Sequence, residues 1–526
     1  MDVKALEKER EPWSRASVCF EAGSRAGLYV GAKPLKEYLE EVEERWVLRL
    51  GELLDGLDWG AFEAAYQPGG RPPLHPKRVV GLLMYGMVLQ QASLRQMESL
   101  ARRDVGAWWL TGGLSPDHTT LARFIARHEE LVSTEFFIGL TRSIAKHLGL
   151  KASDLAIDGT VTMAASSAVN GLKREALEKA RDEAKEASEA AQAAEEATTV
   201  TPESEAGMTS GATTPESPAA AKAAARVEAL EAALRSLDAR AEALKESGKP
   251  SDKLQVSPFE PEAVLQPLKR SNDYGFAYKP TVAAHPAGLI IGQNLSPSNE
   301  TEHVPDLLAQ HQKVFGGQPQ RALMDSGFCT IGLLTTCVAM GIDVLSPTGQ
   351  GGQPRRGRKG LFAKSLFKYD EKRDVVTCPN NAQMKPGVFL VDRRGNRYRE
   401  FRTSACATCP LRKSCTSGKQ RALKRFEGDE LKDAMTEILT HPEARAAYTR
   451  RSVIVEPVFA RFLAAGFVRF KRKGRRRART EFALRCSAHN VALFVRRTRR
   501  SLVVFFAMMR PDASWRLVVI GLNAAP

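Results

Sequence analysis

Long apolar runs are missing from this chain. A helix needs about 20 apolar residues to cross a bilayer, and the longest late run, Ser501 to Met509, ends far short of that between Arg500 and Arg510. Met1 to Trp13 alternates Lys and Glu and has no apolar centre for a signal peptide. Cysteine is scarce too: eight in 526 residues are too few for a disulfide scaffold. Acidic charge is in deficit, with 61 Asp and Glu against 77 Lys and Arg, a net charge of +16. These shortages exclude a membrane protein and a disulfide-stapled one. The expectation is a soluble, cytoplasmic protein with a polyanionic partner, nucleic acid before membrane.

At 57.7 kDa the chain is too long for one ordinary core, and shifts in composition divide it into six stretches. Residues 1–150 read as a helical domain. Apolar residues at helical spacing run from Leu35 to Leu54, and further helices are expected over Lys77 to Gln90 and, capped by Ser93, Leu94 to Arg102. Ala107-Trp-Trp-Leu-Thr-Gly-Gly113 reads as a break, and Ser115-Pro-Asp117 restarts a helix through Leu121, Phe124 and Ile125. Helix, break, helix with Arg123 and Arg127 outward suits a DNA-reading helix-turn-helix or a plain bundle. Residues 151–170 begin an α/β core. Residues 171–265 are an Ala/Glu-rich insertion expected to form an antiparallel helical hairpin, or partly disordered arms, around the polar link Thr199 to Pro218. The core resumes over 266–348 with a hairpin, two helices and two strands, giving a mixed sheet. A cysteine-containing insertion fills 349–430. Residues 431–526 hold a helix over Leu431 to Thr449, a closing helix from Val453 to Ala465, and the densest basic charge.

The chemistry-bearing signal is a pair of strand endings. Asp154-Leu-Ala-Ile-Asp-Gly-Thr160 runs three apolar residues into Asp158, and Arg321-Ala-Leu-Met-Asp-Ser-Gly327 repeats the design at Asp325. Glu456 follows a third apolar run, Arg451-Ser-Val-Ile-Val-Glu-Pro457. A carboxylate delivered at a strand's carboxyl edge is placed where open α/β sheets bind ligands. Three such acids supply the hard oxygen ligands of a two-metal site for Mg²⁺ or Mn²⁺. Taken singly, each Asp is as readily a helix cap or a loop salt bridge; the joint pattern carries the reading.

The chain resembles the DDE transposases of bacterial insertion sequences. The likeness rests on Asp158-Gly-Thr160 with Ala164-Ala-Ser166, on Leu323-Met-Asp-Ser-Gly327, and on Arg450-Arg-Ser-Val-Ile-Val-Glu-Pro-Val-Phe459 followed by Gly466-Phe467 and Cys486-Ser-Ala-His-Asn490. Trp109-Leu-Thr-Gly-Gly113 and Pro116-Asp-His-Thr-Thr120 are similar to the family's helical amino-terminal domain. The resemblance implies a ribonuclease-H-like catalytic core with Asp158, Asp325 and Glu456 as metal ligands. It implies cleavage at element ends by water, then attack of the 3′-hydroxyl on target DNA. Two departures accompany it. Asp158 and Asp325 stand 167 residues apart, which the helical insertion explains, and Leu463 stands where many relatives carry a lysine. The alternatives are a sequence-specific DNA-binding protein that has lost catalysis, and a nuclease that cuts without joining.

The basic runs point to a nucleic-acid partner, and the resemblance implies double-stranded DNA, as terminal repeats and target. Lys471, Arg472, Lys473, Arg475, Arg476 and Arg477 form a cluster suited to phosphate contact, and Arg451, which precedes Glu456, is a further candidate for it. Pairing two element ends implies a homo-oligomer on DNA. Cys406-Ala-Thr-Cys409-Pro-Leu-Arg-Lys-Ser-Cys415, with Cys378 upstream, offers four thiolates for a structural Zn²⁺ or, second to it, an iron–sulfur cluster. Cys329, Cys337 and Cys486 sit in apolar surroundings and read as core residues.

Overall fold

The computed structural model describes residues 18–42, 44–69, 71–199, 218–246, 248, 250–268, 273–348, 361–392, 395–499, 503–509 and 515–521. The amino-terminal part is helical, as expected, with two differences. The Leu35 to Leu54 run is broken into helices Leu35–Glu41 and Arg45–Asp55. The stretch read as a break is itself a helix, Val105–Thr111, capped by Asp104 and stopped by Gly112 in the left-handed region. Its Gly-Gly ending was legible, but Trp108 and Trp109 masked a helix only seven residues long. Ser93 and Gln96 form a reciprocal capping box on Leu94–Arg103, and Asp117 caps His118–Arg127.

The central sheet has seven strands: β1 (Leu155–Gly159), β2 (Thr162–Met163), β3 (Val264–Pro267), β4 (Tyr274–Ala284), β5 (Ile290–Ser296), β6 (Arg321–Met324) and β7 (Asp343–Leu345). The long β4 organises it. Its first half pairs antiparallel with β2 and β3, and its second half lies antiparallel between β1 and β5. Beyond β1 come β6 and β7, both parallel. A parallel sheet is covered on both faces, and Leu155, Ala156, Ile157, Ala322, Leu323 and Met324 are all fully buried. This is the mixed α/β architecture expected.

Helices Val304–Phe315 and Pro442–Ala464 pack on the sheet. The second merges two expected helices differently from the sequence reading. A break at Thr440-His441 separates Asp429–Ile438 from Pro442–Ala464, which then runs unbroken through Pro457. Part of the basic run opens a long helix. Arg475–Arg499 is a helix whose Ala478, Phe482, Cys486, Val491 and Phe494 are buried in the same core as the amino-terminal helices and the sheet. Asn490 fastens it: the side chain accepts from Ile290 N–H (2.9 Å), and donates to Ile290 O (2.8 Å) and Thr141 Oγ1 (3.0 Å). One buried amide thus satisfies the β5 edge and joins it to the helical domain.

The Ala/Glu-rich insertion is the expected hairpin, Arg174–Thr199 against Pro218–Glu246, with its link outside the described residues apart from the two helix ends. It buries little besides Leu177, Ala184, Leu230, Ala233, Leu234 and Leu237. Arg240 and Ser236 tie its foot to the backbone of Pro261. The cysteine insertion is a separate antiparallel sheet: β8 (Lys368–Asp370), β9 (Val375–Thr377), β10 (Gln383–Val391), β11 (Arg397–Arg402) and β12 (Leu423–Phe426). Val503–Met509 and Trp515–Gly521 pair as a terminal hairpin, and no described helix is long and apolar enough to cross a membrane.

Candidate active site

Register brings the two aspartates together. Ile157 lies opposite Met324 in the parallel β1–β6 pair, so Asp158 and Asp325, one residue further on, leave adjacent strands at the same carboxyl edge. Each carboxylate steadies its own turn: Asp158 Oδ1 accepts from Gly159 N–H and Asp325 Oδ1 from Gly327 N–H, both at 2.8 Å. Ser346 Oγ, just past β7, donates to Asp325 O (2.7 Å). Both acids are partly exposed, as a site open to substrate requires.

Two further groups belong to this cluster, and sequence reasoning assigned a role in the acid site to neither. Arg451 Nη1 lies 3.2 Å from Asp158 Oδ2, an ion contact off hydrogen-bond alignment. Burial alone would lower the Arg451 pKa, but Asp158, Tyr448 and Asp325 outweigh it and raise the value. A guanidinium therefore faces both aspartates. Glu300 approaches from the turn after β5. A Cβ at Gly159 would fall on its carboxylate, which explains the glycine after Asp158. Burial raises the Glu300 pKa, Lys279 (3.4 Å) opposes this, and Asp325 and Asp158 add to it. Three carboxylates thus share a small region with two cations.

Glu456 stands apart. It is on the same helix as Arg451, five residues on and about 7.5 Å along the axis. It is exposed. Among the described residues no three His, Cys, Asp or Glu side chains are gathered closely enough to hold a metal ion. The structure therefore brings two of the three expected ligands together and leaves the third outside.

The helix bearing Arg451 is aligned by its neighbour. Buried Asp154 accepts from Arg321 (2.9 and 3.2 Å) and from Arg450 (2.7 Å). Arg450 and Arg451 so grip opposite ends of β1. A lone acid before a strand gave no sequence signal for this clamp.

The basic residues divide by environment. Phe470 N–H donates to Met163 O (2.9 Å), which ties the loop before the Arg475–Arg499 helix to the strand just past Asp158. Carboxylates hold the loop's backbone: Glu481 accepts from Lys471 and Arg472 N–H, Glu260 from Gly474 and Glu262 from Arg475. With the amides satisfied, Lys471 and Lys473 remain exposed. Arg472 is half-buried, and burial lowers its pKa. Arg475 Nε donates to Leu295 O (3.2 Å), and Arg476 and Arg477 lie 2.9 and 3.9 Å from Glu129. Arg475 is thus partly buried against β5, while Arg476 and Arg477 stay exposed beside Glu129. Arg123 and Arg127 are exposed, with Arg127 over the Tyr66 ring (4.6 Å). Cys329, Cys337 and Cys486 are buried core residues as expected.

Two segments match family models. Residues 37–127 match a model described as "Transposase domain (DUF772)", covering most of the helical domain. Residues 377–494 match one described as "Transposase DDE domain", which spans the cysteines, Glu456 and most of the Arg475–Arg499 helix. Asp158 and Asp325 lie outside both segments. No curated protein matches the chain. Such domains imply a DNA-processing enzyme. The two matches, to segments that flank a mixed sheet with paired acids at its edge, indicate a DDE transposase of the insertion-sequence type.

Proposed function

We propose that this transposase cleaves DNA at the ends of its element and transfers the freed 3′-hydroxyl to target DNA, at a two-metal site of Asp158, Asp325 and Glu456. The observation that carries the reading is the parallel register that sets Asp158 beside Asp325 with a cation facing both. The strand order β5-β4-β1-β6-β7, with β4 antiparallel and β6 and β7 parallel to β1, supports a ribonuclease-H-like core. The donor set fits hard divalent cations, Mg²⁺ or Mn²⁺: all-oxygen ligands, with a positive charge already drawn to them. When bound, such cations stabilise the attacking and leaving oxygens of phosphoryl transfer.

The chain's own residues do the rest. Asp158 and Asp325 hold the site open at the sheet edge, and Glu456 completes it from the Pro442–Ala464 helix. Arg451, 3.2 Å from Asp158, is placed to contact a phosphate of the DNA at this edge. Lys471 and Lys473, on a loop fixed beside Asp158, hold the backbone of double-stranded DNA, with Arg472, Arg475, Arg476 and Arg477 adding charge. Arg123 and Arg127 read the terminal repeat from the helical domain. Pairing two ends calls for at least a dimer on DNA. A binding protein that has lost catalysis is not favoured by the family matches. The test is purified protein with labelled terminal-repeat DNA and Mg²⁺ or Mn²⁺. Cleavage that vanishes in Asp158→Asn supports the reading; sequence-specific binding with no cleavage in either metal defeats it.

A further inference from the structure

Away from the acid cluster, Cys378, Cys406, Cys409 and Cys415 line one cavity of about 20 Å³ in the inserted sheet, walled by Phe362, Phe367 and Met384. The four thiols come from three separate local structures. Cys378-Pro-Asn-Asn381 is a tight turn: Asn381 N–H donates to Cys378 O (2.9 Å), Cys378 N–H to Ala382 O (3.0 Å), and Asn381 is left-handed with φ +55°. Cys406 to Cys409 makes a second turn, extended by Arg412 N–H donating to Cys409 O (3.2 Å). Cys415 ends the Arg412–Cys415 helix and is buried. All four are free thiols, so no disulfide explains their convergence.

The inserted sheet needs a tie. Its own core is only Phe367, Val376, Met384, Phe401, Cys415 and Leu423. Residues 349–430 carry 20 Lys and Arg against 8 Asp and Glu, so +12 of the chain's +16 is concentrated on this small unit. At 82 residues the unit stands just above the size, about 70–80 residues, below which a core with few buried side chains generally relies on disulfides, a metal or a partner surface. Here the disulfide is absent and the sulfur is present.

We propose that Cys378, Cys406, Cys409 and Cys415 bind one structural Zn²⁺ as four thiolates and so close the inserted sheet. Four sulfur ligands in tetrahedral array suit Zn²⁺. The thiols line the cavity without standing at ligand spacing, and binding draws them onto the ion. The site is independent of the carboxylates and stands or falls without them.

Metal analysis of the full-length protein after dialysis decides it. One zinc per chain is expected, lost in Cys406→Ser/Cys409→Ser and retained in Cys378→His, because imidazole replaces thiolate as a zinc ligand. Zinc should also shield four thiols from a thiol reagent while exposed Cys19 reacts at an unchanged rate. Co²⁺ in place of zinc should give the thiolate charge-transfer absorbance of a tetrahedral sulfur site. Visible absorbance from bound iron and sulfide, a disulfide among the four, or thiols equally reactive with and without zinc would each overturn the proposal.

Discussion

Replacing Arg451 with alanine should loosen β1 when divalent metal is absent and do so much less when it is present. The guanidinium lies 3.2 Å from Asp158, with side-chain exposures of 16% and 19% for the two partners. Breaking a buried ion pair by removing one partner costs about 3–5 kcal/mol. Partial exposure and the off-axis geometry place this pair below that range, at about 2–3 kcal/mol. That loss should appear as roughly 30- to 150-fold faster amide hydrogen exchange in the 154–163 segment. Local exchange is the right assay because a chain with two inserted units need not unfold in one step. Mg²⁺ supplies the missing positive charge, so the variant's excess exchange should shrink at saturating metal, and Arg451→Lys should show a smaller loss. An exchange penalty that is identical in EDTA and at every Mg²⁺ concentration would refute the reasoning.

Other consequences are equally open to measurement. The Glu300 pKa is raised, so the folded state binds its proton more tightly than the unfolded chain, and stability falls as pH climbs through the ordinary carboxylate value and the raised one. Glu300→Gln should therefore be more stable than the native protein at pH 7 in EDTA, with the gain disappearing below about pH 4.5; denaturant titration at the two pH values checks it. His489 is buried against Phe462 and lies 3.0 Å from Gly288 O, and burial lowers its pKa to about 4. A histidine depressed from 6.5 contributes fully above that value and loses about 3 kcal/mol as pH falls from 6.5 to 4. His489→Gln, which still donates to Gly288, should flatten the stability profile by that amount in that window; parallel profiles would contradict it.

The strand endings were legible because an apolar run stopped by Asp and Gly has few other uses. The Tyr274–Ala284 and Ile290–Ser296 hairpin was legible for a similar reason, a turn between two β-rich runs. The rest depended on distance. Glu300 sits in a Ser-Pro-Ser-Asn turn with nothing local to mark it, and its role arises only because β5 ends beside Gly159. Asp154 gains its partners from residues 167 and 296 positions away. The contact of Arg476 and Arg477 with Glu129 was not legible in the basic run, because Glu129 lies in another part of the chain. Pro457 reads as a helix breaker, yet a 23-residue helix held by buried Ile454, Val455 and Val458 carries it.

Metal specificity at Asp158 tests the central claim most directly. Asp158→Cys exchanges a hard oxygen ligand for a soft sulfur one, which Mg²⁺ binds poorly and Mn²⁺ tolerates better. Cleavage of labelled terminal-repeat DNA by this variant should be lost in Mg²⁺ and recovered in part in Mn²⁺, while the native protein cleaves in both and in neither once EDTA is added. A variant that cleaves in Mg²⁺ at the native rate, or a native protein that cleaves in EDTA, would contradict a metal site at Asp158.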